Sequence, residues 1–232
     1  GRKLLLSGAG QCNYTNNCEI NEFLQKYGDK GRFIKTALYN FTNHDAMEFF
    51  KERGLKSIIR DDNKIFPHTL KAMDVLKVLI DSVKHAEMLT NTSVKRVSYD
   101  ENKKVFYIKT NTANFTCCNL IIAAGGMSYP NTGSTGDGYS FAKYLGHGIV
   151  EPKPALTPVY VEDYQFKELS GISFENIKIS LFKNNKKAKE FLGSFLFTHV
   201  NISGPVIINN SRYMGAGDIL KVNFTSFNED EF

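Results

Sequence analysis

Residues 117–147 read CCNLIIAAGGMSYPNTGSTGDGYSFAKYLGH. Leu120, Ile121 and Ile122 make a short unbroken apolar run, the pattern of a strand covered on both faces, and Gly125 and Gly126 end it. Gly133 and Gly136 carry a glycine-studded loop into a helix expected from about Gly138 to Leu145. Strand, loop and helix in that order point peptide N–H groups and a positive helix end into one space, where an anionic ligand can sit. Glycine is also what strand-to-helix connections need for geometry alone. The segment holds neither the Gly-Lys-Ser/Thr of a P-loop nor a G-x-G-x-x-G turn, so it indicates an α/β fold without naming a nucleotide.

The flanking sequence extends that reading. In NFTNHDAMEFFKERG, Thr42 is placed to cap a helix, Asp45 follows three residues on, and Gly54 stands where the helix stops. In LKAMDVLKVLIDSVKHA, Met73, Leu76, Leu79, Ile80 and Val83 fall at spacings of three and four, which predicts a second helix with an apolar stripe. Ser93 to Tyr99 and Val105 to Thr110 alternate apolar with polar residues around DENKK and predict a half-solvated hairpin.

Beyond Pro152 the texture changes. Three prolines stand within Pro152–Pro158, and strand-like segments follow at Leu156 to Val161, Ile177 to Phe182, Gly193 to Thr198 and Ile219 to Thr225. One short helix is expected after Ser203, a cap candidate, with Pro205 in the first turn. The fold class read from pattern is therefore α/β followed by an antiparallel β domain, with the boundary at 153/154.

The 232 residues suffice for one large or two small domains with a real core. A hydrophobic share of 42% with 23% charged residues excludes large-scale disorder. The net charge of +5 is modest, and its densest cluster, Lys183 to Lys189, falls where a hairpin turn is expected, so a nucleic-acid partner is not expected. No apolar stretch is long enough to span a bilayer, and the Leu4–Leu6 run is too short for a secretion signal. Cys12, Cys18, Cys117 and Cys118 have neither zinc nor disulfide spacing, so they are read as reduced thiols of a cytoplasmic protein with no metal.

The first sixteen residues, GRKLLLSGAGQCNYTN, form a small, polar, glycine-rich loop after one apolar run. Together with AAGGMSYPNTGSTGDGYSFAKYLGH, LFTHVNISGP, and FFKERG followed by KIFPHTLKAMDVL, this stretch resembles, in order and spacing, the segments of the BaiN-like flavoprotein family, which includes aminoacetone oxidase. That resemblance covers Gly1 to about Thr225 and implies a partial Rossmann-like FAD-binding domain over residues 1–153 and an inserted β domain over 154–232. By the same comparison the family's first strand, its G-x-G-x-x-G turn and its ribose-binding acid precede Gly1. Its helical domain and last FAD segment follow Phe232. A weak hold on FAD by the 232-residue chain alone is the expected consequence.

The resemblance also implies the cofactor residues. Arg2, Lys3, Ser7, Gly8, Gly10, Cys12, Asn13, Thr15 and Asn16 match a loop that passes the flavin, with Ala9 in place of a Gly and Gln11 in place of an Arg. Ala9 adds a methyl where the backbone requires positive φ, and Gln11 removes a fixed charge. Ala123, Ala124, Gly125 and Gly126, with Gly133 and Thr135 in the following loop, match the segment passing the adenosine or pyrophosphate, and Val94 matches a position whose backbone meets adenine. Ala124 stands where a Thr is usual. Asn201 replaces a Gly, which a left-handed backbone would tolerate. His199 is read as structural, and no catalytic residue is assigned. The implied function is electron transfer through FAD between an organic small molecule and a nicotinamide, NAD(P)H, or oxygen; the alternative is a binding module that has lost its flavin. A nucleic-acid role would require binding that falls steeply with salt.

Overall fold

The structure, a computed structural model, describes residues 1–225, and the chain divides into two compact units, Gly1–Ile149 and Val150–Phe232. The first unit opens with helix α1 (Arg2–Leu6), runs through a tight turn at Ser7–Gly10 into the short strand β1 (Thr15–Asn16), and continues as α2 (Ile20–Lys26), α3 (Gly31–Asn40) and α4 (Asn43–Glu52). The hairpin β2 (Ser57–Ile59) and β3 (Lys64–Pro67) follows, then α5 (Ala72–Ser82), the strands β4 (Val94–Asp100), β5 (Val105–Thr110) and β6 (Asn114–Cys117), and α6 (Asp137–Tyr144). The strands form two antiparallel sheets, ordered β1-β3-β2 and β4-β5-β6.

Local chemistry explains the helix starts. Thr42 accepts a hydrogen bond from the Asp45 backbone while the Asp45 carboxylate accepts one from the Thr42 backbone at 2.8 Å, so α4 begins on the expected capping box. The Thr42 N–H also holds the Asp45 carboxyl below the usual carboxylate range. Helix α5 forms where periodicity placed it but turns a neighbouring face inward. Ala72 and Val75 are buried, Leu79 packs beside them, and Met73, Ile80 and Val83 are exposed. The buried face is chosen by the cluster it meets, Cys12, Phe50 and Leu55 with Leu4 and Leu5 of α1, rather than by the widest apolar stripe.

The run Leu120–Ile122 is not a ladder strand. Residues 119–126 pair with no strand among the described residues, and Ile121 is 89% exposed. Apolar composition cannot make a strand without a neighbour to accept its backbone groups. One side of the run is covered by α6, where a Cβ on Gly138 would lie 3.4 Å from Ile122 and 3.5 Å from Ala124.

The second unit is built on β7 (Ser173–Lys183), β8 (Lys186–Phe197), β9 (Ile202–Ser203) and β10 (Ile219–Asn223), an antiparallel sheet ordered β10-β7-β8-β9. Asn184 and Asn185 turn the β7–β8 hairpin with φ of 49° and 62°, the mirror-image turn that suits strand twist and that Asn tolerates. The basic run is thus a hairpin turn, as its composition suggested. Helix α7 (Pro205–Asn210) seals the core through Val206 and Ile207 against Ile177, Ile179, Phe195 and Phe197. Its N-cap is Gly204 rather than Ser203, because Ser203 is held in β9 and a Cβ at position 204 would come within 2.7 Å of the Ser194 carbonyl. Leu156–Val161 contributes one bridge, Val159 to Ile202, instead of a strand. Among the described residues no helix is long and apolar enough to cross a membrane. The architecture is mixed α/β.

Candidate functional site

The residues expected to meet a cofactor all fall in the first unit. Gly8, Ala9, Gly10 and Cys12 have φ of 56°, 54°, 84° and 61°, so the turn after α1 runs almost wholly in the left-handed region. For Ala9 this geometry is strained, by about 1–2 kcal/mol, since its Cβ crowds the next carbonyl. The turn closes on itself through Gln11 N–H to the Gly8 carbonyl at 3.1 Å and Cys12 N–H to the Ser7 carbonyl at 3.0 Å. Burial of Cys12 in the apolar cluster anchors it, while Ser7 Oγ donates to the Leu4 carbonyl. A Cβ at Gly8 would lie 3.0 Å from the Asn13 nitrogen and 3.1 Å from the Phe66 ring, so that backbone passes close to both. Asn13 fixes the exit of the turn by donating to the carbonyls of Thr15 and Ile65 at 2.8 and 2.9 Å.

In the second segment Ala123, Ala124 and Gly125 are exposed and carry at most a methyl, leaving the backbone bare. Gly125, Gly133 and Gly136 have φ of 76°, 96° and 86°, and the loop is held by Gly136 N–H to the Gly126 carbonyl at 3.2 Å. Thr135 is exposed, and Asp137 occupies the first turn of α6, where its carboxylate already answers the positive helix end. Lys3 joins the two segments, its Nζ donating to the Ser128 carbonyl at 2.7 Å, whereas Arg2 is exposed. Val94 is half-buried at the start of β4, and Arg96 of the same strand lies 5.8 Å from the Tyr144 ring of α6.

A cavity of about 420 Å³ opens beyond β1, between Asn16, Cys18, Phe23 of α2 and Tyr27 at its C-cap, and the β2–β3 turn residues Asp62 and Asn63. Phe23 and Tyr27 stack at 6.3 Å. Burial pushes the Cys18 thiol up, so it stays neutral; the Lys64 ammonium holds Asp62 below the usual carboxylate range. Sequence reading found only Asn16 here. The aromatic pair spaced i, i+4 at Phe23 and Tyr27, within α2 and at its C-cap, is the available signal, and the sequence reading places no helix at α2 or α3.

In the second unit His199 lies in an exposed turn, and Asn201 is buried in an ordinary backbone region, not a left-handed one. Asn201 instead locks that turn by accepting from Thr198 Oγ1, at 2.8 Å on its carbonyl and 2.5 Å on its side chain. All four cysteines are unpaired.

Comparison with known proteins gives these loops a lineage. The family model described as the HI0933-like protein Rossmann domain matches residues 1–207. The chain is 32% identical over 219 residues to ribosomal RNA dihydrouridine synthase of Haemophilus influenzae, covering 92% of this chain and 53% of that protein. It is 28% identical over 217 residues to 3-dehydro-bile acid delta(4,6)-reductase of Clostridium scindens, covering 94% and 52%, and 25% identical over 224 residues to ribosomal RNA dihydrouridine synthase of Escherichia coli, covering 96% and 54%. The chain therefore spans about half the length of these curated relatives. With its left-handed turn, its bare glycine segment and a match across residues 1–207, the chain belongs to the HI0933-like Rossmann-domain family.

Proposed function

We propose that this chain is part of an FAD-dependent reductase that saturates a carbon–carbon double bond conjugated to a carbonyl group. The observation that carries the reading is a step shared by relatives with unlike substrates. Dihydrouridine is uridine with its ring double bond saturated, and a delta(4,6)-reductase acting on a 3-dehydro acid removes double bonds conjugated to a ketone. The resemblance to BaiN-like flavoproteins supports the same reading. In it, residues 1–153 hold the cofactor and 154–232 form an inserted β domain of a cytoplasmic protein.

The residues present suit an extended cofactor. Gly8 and Ala9 are exposed on the left-handed turn, whose tightness Gly8 permits by lacking a Cβ that would press on Asn13 and Phe66, and Ala123–Gly125 are exposed with minimal side chains. The backbone of Ser7–Asn13 with Arg2, Lys3, Thr15 and Asn16 would take the flavin end. Ala123–Gly126, Gly133 and Thr135, with Val94, would take the adenosine and pyrophosphate end. Bound FAD would supply hydride transfer, with NAD(P)H as the electron source. The protein's own part is to orient the ligand with fixed N–H groups and to exclude water from it.

The test is flavin content of the protein carrying Gly8→Val or Gly125→Val, each expected to lose its flavin; normal content in both would refute these site assignments. A small organic enone is the substrate favoured by the modest charge, and uridine in RNA is the second reading, favoured by the two relatives named for it. Reduction of one but not the other by the NADPH-supplied protein decides between them. Absence of flavin altogether would favour the binding-module alternative, to which Ala9, Gln11 and Ala124 point.

A further inference from the structure

We infer that Arg60, in the β2–β3 turn, is the anion-recognising residue of the left-handed loop, positioned to take a phosphate oxyanion of the ligand that loop holds. The inference rests on the loop being a ligand-binding element, as in the proposed function, but not on that ligand being a flavin. Arg60 is exposed, yet its guanidinium is fixed at two points. It lies over the Phe66 ring at 4.0 Å, and one of its amino groups donates to Gln11 Oε1 at 2.6 Å. Phe66 is the buried ring that backs Gly8, where a Cβ would come within 3.1 Å of it. The cation therefore stands beside the bare turn, on the same ring.

Two carboxylates follow Arg60 in sequence, but neither neutralises it. Asp62 is held by Lys64 at 2.6 Å, and among the described residues no carboxylate lies within ion-pair distance of the guanidinium. A guanidinium carries five N–H donors in a planar fork matched to phosphate geometry, and the bond to Gln11 uses one side of it. Stacking on Phe66 removes much of the rotamer entropy that an exposed Arg would lose on binding, so the fork is preorganised. Gln11 is neutral: it steers the cation without neutralising it.

The experiment is calorimetric titration of the full-length protein with sodium pyrophosphate, comparing wild type, Arg60→Gln, Gln11→Leu and a control, Lys95→Gln in exposed β4, with thermal melts to verify folding. Arg60→Gln is expected to weaken pyrophosphate about tenfold, Gln11→Leu by a smaller factor, and Lys95→Gln not at all. Titrations with FAD against riboflavin, and uridine 5′-monophosphate against uridine, locate the source. Loss for the monophosphate but not uridine, with FAD unchanged, assigns the oxyanion to the substrate, in keeping with the flavin end lying at this turn; loss for FAD but not riboflavin assigns it to the cofactor and overturns the placement of the pyrophosphate end at Ala123–Gly126. Equal pyrophosphate binding by wild type and Arg60→Gln, or none by wild type, overturns the inference. A wild type that takes no flavin but shows the Arg60 effect would overturn the flavin reading and leave this one standing.

Discussion

Ala9 sits at φ 54° between two left-handed glycines, and nothing in the turn relieves the crowding of its methyl. Ala9→Gly is expected to stabilise the first unit by up to about 1 kcal/mol, the strain relieved being partly offset by added freedom of the unfolded chain. Urea denaturation checks this, and destabilisation would show that the methyl packs usefully. That Ala9 needs positive φ was legible from the glycines around it. The ordinary backbone of Asn201 was not, because the Thr198 hydroxyl that holds it three residues away belongs to a turn with no glycine or proline to mark its type.

At the level of elements, features that rest on near neighbours in sequence are the ones composition reveals. The capping box of α4 is such a feature, and Thr42→Ala is expected to cost about 1 kcal/mol. Because the folded Asp45 carboxyl is held below its usual range, the stabilisation it brings is present above the unfolded value and is lost as pH falls through the folded one. Thr42→Ala keeps the N–H but removes the Thr42 Oγ1–H bond to the Asp45 carboxylate at 2.8 Å, so the part of the difference that this bond contributes should shrink below about pH 4, and a difference independent of pH would contradict that contribution. The Asn184–Asn185 turn is equally local. Asn185→Gly should be neutral or stabilising, whereas Asn185→Val should destabilise the hairpin, since a β-branched residue resists φ of 62°. By contrast, which face of α5 turns inward depends on Cys12 and Phe50, remote in sequence. β6 alternates apolar with polar residues but over only four positions, too short a window to stand out beside the apolar run that follows it, and it forms by pairing with β5 at Phe106–Lys109. The aromatic wall of the α2 cavity needs the β2–β3 turn opposite it, which no window along the chain contains.

For the whole molecule, the family's Rossmann character and the pairing observed have to be held together. Every strand pair among the described residues is antiparallel, while Leu120–Ala124, the segment with the composition of a buried parallel strand, lies unpaired with Ile121 exposed. The relatives are about twice as long. Amide hydrogen exchange at Ile121–Ala124 is accordingly expected to be fast in the 232-residue chain and slow in a protein of the relatives' length, where a neighbouring strand can accept those backbone groups. Equal, fast exchange in both would mean that the segment is a loop in its own right. Under the flavin reading, cofactor affinity is the second property to depend on chain length, since the 232 residues hold no G-x-G-x-x-G turn for a pyrophosphate. The measurement that bears most directly on the account is the visible absorption spectrum of the full-length protein after incubation with FAD and gel filtration. A retained flavin spectrum that Gly8→Val abolishes is the predicted result; a colourless wild-type protein would contradict the flavoenzyme reading.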